Sequence, residues 1–164
     1  MEKLPSNKPK APTLVLFEPE IPQNAGNIAR TCAATGCHLV LVEPLGFRLS
    51  ERSIKRAGLD YWPHVSWEKI TSLEDYLQDQ QRPFYFFSSK GEKRYTEIPF
   101  SENDIYIFGS ETKGLPKEFH KKHFDKFYTL PQRDAVRCLN LSNVAAIIAY
   151  ASWEARGFTH QSYS

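Results

Sequence analysis

Residues 126–143 read KFYTLPQRDAVRCLNLSN, and this stretch decides the fold. Its first five residues form an apolar, aromatic run that predicts a buried strand, and Pro131 marks the end of that strand. A polar loop over 132–139 follows, and Asn140 opens an apolar helix that is predicted to continue to Arg156. Polar residues are thus concentrated where a strand ends and a helix begins. In α/β proteins, ligands bind at such junctions.

The rest of the chain alternates strand and helix patterns in the same way. Continuous apolar runs predict strands at Thr13–Phe17, His38–Val42, Phe84–Phe87, Ile105–Phe108 and 127–130. Between them, helical periodicity predicts helices at 24–35, 50–57, 72–80, 116–123 and 141–156. This alternation predicts an α/β fold with a mostly parallel sheet flanked by helices.

Composition limits the class of protein further. The 164 residues are 41% hydrophobic, which is enough for one folded domain, expected over 13–157. Residues 1–12 are rich in lysine and proline and predict a disordered basic arm, and residues 158–164 predict a short tail. Because no apolar run approaches the roughly 20 residues that cross a bilayer, no membrane partner is expected. The three cysteines form no C-x-x-C pair, so a reduced, cytoplasmic protein without a metal site is predicted.

Two further loops follow predicted strands and carry polar groups. Residues 18–30, EPEIPQNAGNIAR, enter the first helix, where Gln23 or Asn24 is predicted to act as the cap and Arg30 to offer a seat for phosphate. Residues 108–116, FGSETKGLP, form a glycine-bracketed loop in which Glu111 would repel a triphosphate. An ordinary solvated helix face and a plain strand-to-helix turn are the structural alternatives for these two segments.

Taken in order, these three segments resemble the signature motifs of the knotted SPOUT methyltransferases. The closest resemblance is to the small TrmL-like tRNA ribose 2′-O-methyltransferases. EPEIPQNAGNIAR resembles the first motif, FGSETKGLP the second, and LP followed by RCLNLSN the third. Residues 43–47 and 56–61 add further likeness, and the resemblance covers about 13–157.

The resemblance implies a deep C-terminal trefoil knot, through which the segment after Leu130 threads. It also implies that S-adenosylmethionine binds bent against the knot, largely through backbone groups, and leaves as S-adenosylhomocysteine. The cofactor contacts carried over are Phe87, Gly109, Leu130, Cys138 and Leu139. Cys138 departs from the serine that relatives usually have, and a thiol is a weaker hydrogen-bond donor than a hydroxyl.

The implied activity is methylation of the ribose 2′-hydroxyl of a tRNA nucleotide, the wobble cytidine or uridine at position 34. The residues implied for catalysis are Arg30, Asn140, Ser142 and Glu111. Arginine holds its proton too firmly to be a good general base, so Arg30 is expected to position the phosphate and the hydroxyl. Methylation of rRNA or of another tRNA position, and a non-catalytic RNA-binding role, are the alternatives.

The resemblance further implies a homodimer that holds tRNA, with no DNA partner. Two basic stretches are candidate phosphate contacts: one on the helix predicted at 50–57, and one between 117 and 126. Solvated helix faces are the alternative for the second. The lysines and arginines concerned are Arg52, Lys55 and Arg56 in the first stretch, and Lys117, Lys121, Lys122 and Lys126 in the second.

Overall fold

The computed structural model describes residues 11–50, 52, 62–135 and 138–159. Seven strands of these residues form one sheet in which every pairing is parallel. The strands are β1 Thr13–Phe17, β2 His38–Val42, β3 Trp67–Ile70, β4 Phe84–Phe87, β5 Lys93–Arg94, β6 Ile105–Phe108 and β7 Phe127–Thr129. Their spatial order is β3-β2-β1-β6-β4-β7-β5. The predicted α/β fold with a mostly parallel sheet is confirmed.

The sequence missed both edge strands of this sheet. The five predicted strands are present, although β7 ends at Thr129, one residue earlier than predicted. The missed strands β3 and β5 lie at the two ends of the spatial order. An edge strand is covered less completely, so WEKI and the exposed pair KR lack the continuous apolar run of the central strands.

Four α-helices are described: α1 Pro22–Thr35, α2 Leu73–Gln80, α3 Lys117–Lys122 and α4 Leu141–Ala155. Each agrees with a predicted helix to within about two residues at either end. Gly36 ends α1 with a φ of 78°, the left-handed conformation that a helix-ending glycine supplies. The helix predicted at 50–57 lies outside the described residues, apart from Ser50 and Arg52.

The hydrophobic core lies on both faces of the sheet. Side chains alternate along each strand, so Leu14 and Leu16 of β1 point to one face and Val15 to the other. The first face is covered by α1 and α4, which pack against each other. The second face is covered by α2 and α3. The helix that carries Arg30 is therefore packed beside the helix that begins after Asn140.

Residues at the start of the described chain pack against the sheet. Ala11 is buried, and its carbonyl accepts a 3.0 Å hydrogen bond from Arg82 Nη2. The carbonyl of Pro12 accepts from the His38 backbone N–H at 2.9 Å. Ala11 and Pro12, which the sequence assigned to the arm, thus belong to the packed domain. The threading of the chain through a knot stays a prediction.

Candidate functional site: a cavity at the carboxyl edge of the sheet

A cavity of about 710 Å³ opens at the carboxyl ends of β4, β6 and β7, which are neighbours in the sheet. Its walls come from the loops that follow these strands and from the start of α4. Apolar and polar residues both line it, and the volume is within the usual range for a small-molecule site. The lining includes Phe87, Ser88, Ser89, Lys90, Gly109, Thr112, Leu130, Gln132, Cys138, Leu139, Asn140 and Leu141.

The structure brings together all five residues that the resemblance implied for cofactor binding. Phe87 is the last residue of β4, Gly109 follows β6, and Leu130 follows β7. Cys138 and Leu139 come from the loop that precedes α4, and each of the five lines the cavity. Parallel strands end at a common edge, which explains why residues so distant in sequence meet here. Their role in cofactor binding stays a prediction.

The loop between Gly109 and Leu115 is folded tightly on itself. Ser110 and Gly114 exchange backbone hydrogen bonds of 3.3 and 3.0 Å, and the Lys113 N–H donates to Ser110 Oγ at 3.3 Å. A Cβ added at Gly109 would lie 2.5 Å from the carbonyl carbon of Gly114, so the close approach requires glycine. This rigid loop forms one wall of the cavity.

Asn140 and Ser142 act as one hydrogen-bonded unit at the start of α4. Asn140 is the N-cap, and its Oδ1 accepts from the Ser142 backbone N–H at 2.8 Å and from Ser142 Oγ at 2.6 Å. The sequence prediction that this helix opens at Asn140 is therefore confirmed. Because the Ser142 proton is given to Asn140, the Ser142 oxygen is left to accept a hydrogen bond. The Asn140 Nδ2 group remains able to donate a hydrogen bond to a ligand. Asn140 lines the cavity, whereas Ser142 lies beside it.

The cap predicted for α1 is wrong. The N-cap residue is Ile21, which has no side-chain oxygen, and Asn24 lies inside the helix. Instead, the carboxylate of Glu111, from a different loop, binds the segment that leads into the helix. It accepts hydrogen bonds from the backbone N–H groups of Glu20 at 2.8 Å and Ile21 at 3.1 Å, and from Asn24 Nδ2 at 3.3 Å. Proline at the first helical position removes one donor that would otherwise need a partner.

Arg30 is not brought to the cavity of its own chain. It is exposed on α1, like Asn27, and it is absent from the cavity lining. Along the helix axis it lies about 13 Å from Ile21, at a rise of about 1.5 Å per residue. Of the four residues implied for catalysis, Glu111 and Asn140 line the cavity, Ser142 bonds to Asn140, and Arg30 stands apart.

Sequence reasoning missed Lys90 and His120, which both line the cavity. Partial burial, together with the nearby charge of Lys90, lowers the pKa of His120. The His120 ring stacks on Phe127 with ring centres 4.1 Å apart. Its position in a lysine-rich stretch concealed it, and its place next to Phe119 gave no signal, because adjacent residues of a helix do not share a face.

The basic stretch between 117 and 126 is partly occupied by contacts within the chain. Lys122 Nζ lies 2.8 Å from Glu74 Oε1, and Lys126 Nζ lies 4.6 Å from the centre of the Phe84 ring. Lys117 and Lys121 are exposed. Lys55 and Arg56, of the first basic stretch, lie outside the described residues, so the patch on that helix stays a prediction.

The cysteines are free thiols, of which Cys32 and Cys37 are buried and Cys138 is exposed. Burial raises the pKa of the Cys32 and Cys37 thiols. Among the described residues, no group of three His, Cys, Asp or Glu side chains is placed to hold a metal ion. None of the helices in the described ranges combines the length and hydropathy needed to cross a bilayer.

The fold and the cavity together define a parallel α/β protein with a cavity built from the loops after three neighbouring strands. The sequence profile described as the SpoU rRNA Methylase family matches residues 11–150. A protein of Saccharophagus degradans named tRNA (cytidine(34)-2′-O)-methyltransferase is 43% identical over 154 residues, covering 88% of this chain and 96% of that protein. The chain therefore belongs to the SpoU methylase family.

Solved structures agree with this assignment. One, described as giving structural insights into the 2-OH methylation of C/U34 on tRNA, is 42% identical, with a TM-score of 0.82. The alignment covers 93% of this chain and 100% of that one. The methyltransferase AviRb of Streptomyces viridochromogenes, solved in complex with AdoMet, is 17% identical with a TM-score of 0.78, covering 93% of this chain and 60% of that one. This second likeness shows the fold alone.

Proposed function

We propose that this protein transfers the methyl group of S-adenosylmethionine to the ribose 2′-hydroxyl of a tRNA nucleotide, the cytidine or uridine at position 34. The observation that carries the proposal is the convergence of Phe87, Gly109, Leu130, Cys138 and Leu139 on one cavity. Relatives whose names state methylation of cytidine 34 support the choice of substrate, since they match this chain over most of both lengths.

The cavity suits the methyl donor in chemistry as well as in size. Phe87, Leu130 and Leu139 offer apolar surface for an adenine ring, and the backbone at Gly109 is open to hydrogen bonding because glycine carries no side chain. When bound, the donor supplies a methyl group on a positively charged sulfur. The chain's own task is to align the ribose hydroxyl with that methyl group and to exclude other nucleophiles.

Asn140 and Ser142 are suited to orient the ribose. With the Ser142 proton donated to Asn140 Oδ1, Ser142 Oγ can accept a hydrogen bond from the 2′-hydroxyl, while Asn140 Nδ2 can donate one to a ribose or phosphate oxygen. Arg30 would hold the substrate phosphate and hydroxyl, since the planar fork of donors on a guanidinium matches the oxygens of a phosphate. A phosphate oxygen of the substrate is then a suitable acceptor for the hydroxyl proton.

A homodimer explains why Arg30 lies away from the cavity of its own chain. In a two-fold dimer the exposed face of α1 in one protomer can complete the cavity of its partner. Ile147 and Tyr150, which are 39% and 46% exposed, lie on the outer side of the neighbouring helix α4 and supply apolar surface for such an interface.

The function is tested by incubating the protein with bulk tRNA and labelled methyl donor, followed by mass spectrometry of the nucleosides. We expect 2′-O-methylcytidine or 2′-O-methyluridine that maps to position 34. Label at another tRNA position, or only in rRNA, would change the substrate, and absence of any 2′-O-methylated product would refute the enzyme assignment. Arg30→Ala should abolish methylation while calorimetry still detects donor binding.

Subunit mixing tests the dimer. The Arg30→Ala variant keeps the cavity intact, and the Gly109→Ala variant keeps Arg30. A dimer with one protomer of each variant therefore contains one complete site only if each site combines the cavity of one protomer with Arg30 of the other. Random exchange should then restore about a quarter of wild-type activity in a two-fold dimer. No recovery, with mixed dimers detected by native mass spectrometry, would place Arg30 and the cavity of one site in the same chain.

A further inference from the structure

Two loops far apart in sequence exchange carboxylate hydrogen bonds beside the cavity. Glu111, in the loop after β6, accepts from the backbone N–H groups of Glu20 and Ile21. In return, Glu20 in the loop after β1 accepts from Thr112: the Thr112 Oγ1 lies 2.6 and 2.8 Å from the two carboxylate oxygens of Glu20, and the Thr112 N–H donates at 3.4 Å. We call Glu20, Glu111 and Thr112 the loop clasp.

The loop clasp joins two parts of the site that have different tasks. On one side is the rigid loop from Gly109 to Leu115, which forms a wall of the proposed donor cavity. On the other side is the start of α1, the helix that carries Arg30. Ile21 supplies no side-chain cap, and the Glu111 carboxylate lies at the start of the helix, where it binds the N–H groups of the two preceding residues and the side chain of Asn24.

The hydrogen bonds on Glu20 are of the strong, charge-assisted kind. The pKa of Glu20 is lowered, chiefly by the hydrogen bond from the Thr112 hydroxyl and further by Ser110, the Thr112 N–H and Lys113, which outweigh the desolvation that raises it. Glu20 is therefore ionised at neutral pH. A hydrogen bond to a carboxylate holds its partner more firmly than one between neutral groups.

We propose that Glu20 and Thr112 are positioning residues for methyl transfer, which hold the helix carrying Arg30 at a fixed place relative to the donor loop. The proposal rests on the function proposed above. Without the Thr112 hydroxyl, Glu111 still holds the segment before α1, so the fold persists, but the tie between Thr112 and Glu20 is reduced to the 3.4 Å bond from the Thr112 N–H. A small displacement of a catalytic group lowers the rate of a step without equally lowering the affinity for either substrate.

The kinetic test compares Thr112→Val, which removes the hydroxyl at nearly constant shape, with Thr112→Ser, which restores it. Thr96→Val, at an exposed position in the one-turn helix Tyr95–Glu97, is the matched control. We expect kcat to fall about tenfold in Thr112→Val and to stay within about twofold in the other two. The donor Kd by calorimetry and the Tm should be close to wild type in all three variants.

Hydrogen–deuterium exchange gives a second measurement that does not need activity. In Thr112→Val the backbone amides at the start of α1, from Asn24 onward, should exchange faster than in wild type, and in Thr112→Ser they should not. If these amides exchange slowly in the wild-type protein but the protein methylates no tRNA, the proposed function is wrong, while the contact between the two loops is still supported. The clasp proposal is overturned if Thr112→Val keeps wild-type kcat, if serine fails to rescue, or if the loss appears in the donor Kd alone.

Discussion

Replacement of Gly109 by alanine tests the proposed donor cavity most directly. The added Cβ would lie 2.5 Å from the carbonyl carbon of Gly114 and 2.7 Å from both Gly114 Cα and the Leu115 nitrogen. Nonbonded carbon atoms prefer about 3.5 Å or more, so one strand of the loop must move by about 1 Å. All three neighbours are backbone atoms, and no flexible side chain can move aside to relieve the contact.

The expected consequence is loss of donor binding. Opening the loop by about 1 Å breaks the paired Ser110–Gly114 backbone hydrogen bonds and moves the wall that Gly109 contributes to the cavity. If this displacement removes contacts worth about 3 kcal/mol of binding free energy, the Kd changes by roughly a hundredfold. We therefore expect the Kd for S-adenosylmethionine, measured by calorimetry, to rise about a hundredfold, with kcat/KM for the donor falling in parallel.

Gly114→Ala in the same loop is the matched control. Gly114 has a φ of 64°, but no atom lies within 4 Å of the Cβ that alanine would add. Its cost is thus the left-handed conformation alone, about 1 kcal/mol, and the donor Kd should change by only severalfold. If Gly109→Ala stays folded by circular dichroism and binds the donor as tightly as wild type, the cavity is not the donor site. Equal damage from both variants would mean that close contact at Gly109 is not the cause.

Three further predictions follow from single contacts. Cys138→Ser should change the donor Kd by less than about threefold, because the contact implied at this position is made by the backbone. If calorimetry shows that serine raises the affinity for the donor about tenfold, the side chain takes part in the contact. The Tyr106 hydroxyl lies 2.8 Å from the fully buried Asp104 carboxylate and 2.9 Å from Ser152 Oγ. Because Tyr106→Phe removes both hydrogen bonds, it should lower the free energy of unfolding by about 2 kcal/mol and the Tm by about 4 to 8 °C. An unchanged Tm would refute this. Burial, and to a lesser degree Lys122, lowers the pKa of His123. Between that lowered pKa and the ordinary value of about 6.5, the unfolded chain therefore binds more protons than the folded chain. The free energy of unfolding should fall as the pH drops through this window and should level off above it. His123→Phe, which keeps ring stacking with Phe86, should make the dependence of Tm on pH shallower between about pH 5 and 7, and an identical slope would contradict the assignment.

The central strands could be predicted because burial on both faces leaves a strong local signal. Thr13–Phe17, His38–Val42, Phe84–Phe87 and Ile105–Phe108 are covered by helices on each side and read as unbroken apolar runs. The edge strand Lys93–Arg94 has no such run, because backbone pairing with β7 alone defines it. Local composition therefore indicates which strands are central but cannot indicate what pairs at the edges.

The helix caps show a similar division. The cap of α4 could be predicted because Asn140 and Ser142 are two residues apart and bond to each other. The contact at the start of α1 could not be predicted, because Glu111, which binds the Ile21 N–H there, lies 90 residues away in sequence. Gln23 and Asn24 were reasonable candidates by residue type alone. What overrode that preference is a tertiary contact, in which the Glu111 carboxylate lies at the start of the helix and accepts hydrogen bonds from the two residues before it.

In the proposed function the two substrates would be held by different kinds of atoms, which predicts where substitutions should be tolerated. The proposed donor cavity is shaped by backbone that follows three strands, so its geometry depends on glycine at Gly109 more than on the side chain at Cys138. The ribose would instead be held by side-chain atoms of Asn140 and Ser142, whose hydrogen-bond directions are fixed by each other. A thiol in place of a hydroxyl at Cys138 is then compatible with donor binding, whereas the loss of a single atom from the Asn140–Ser142 pair would leave the other without its partner.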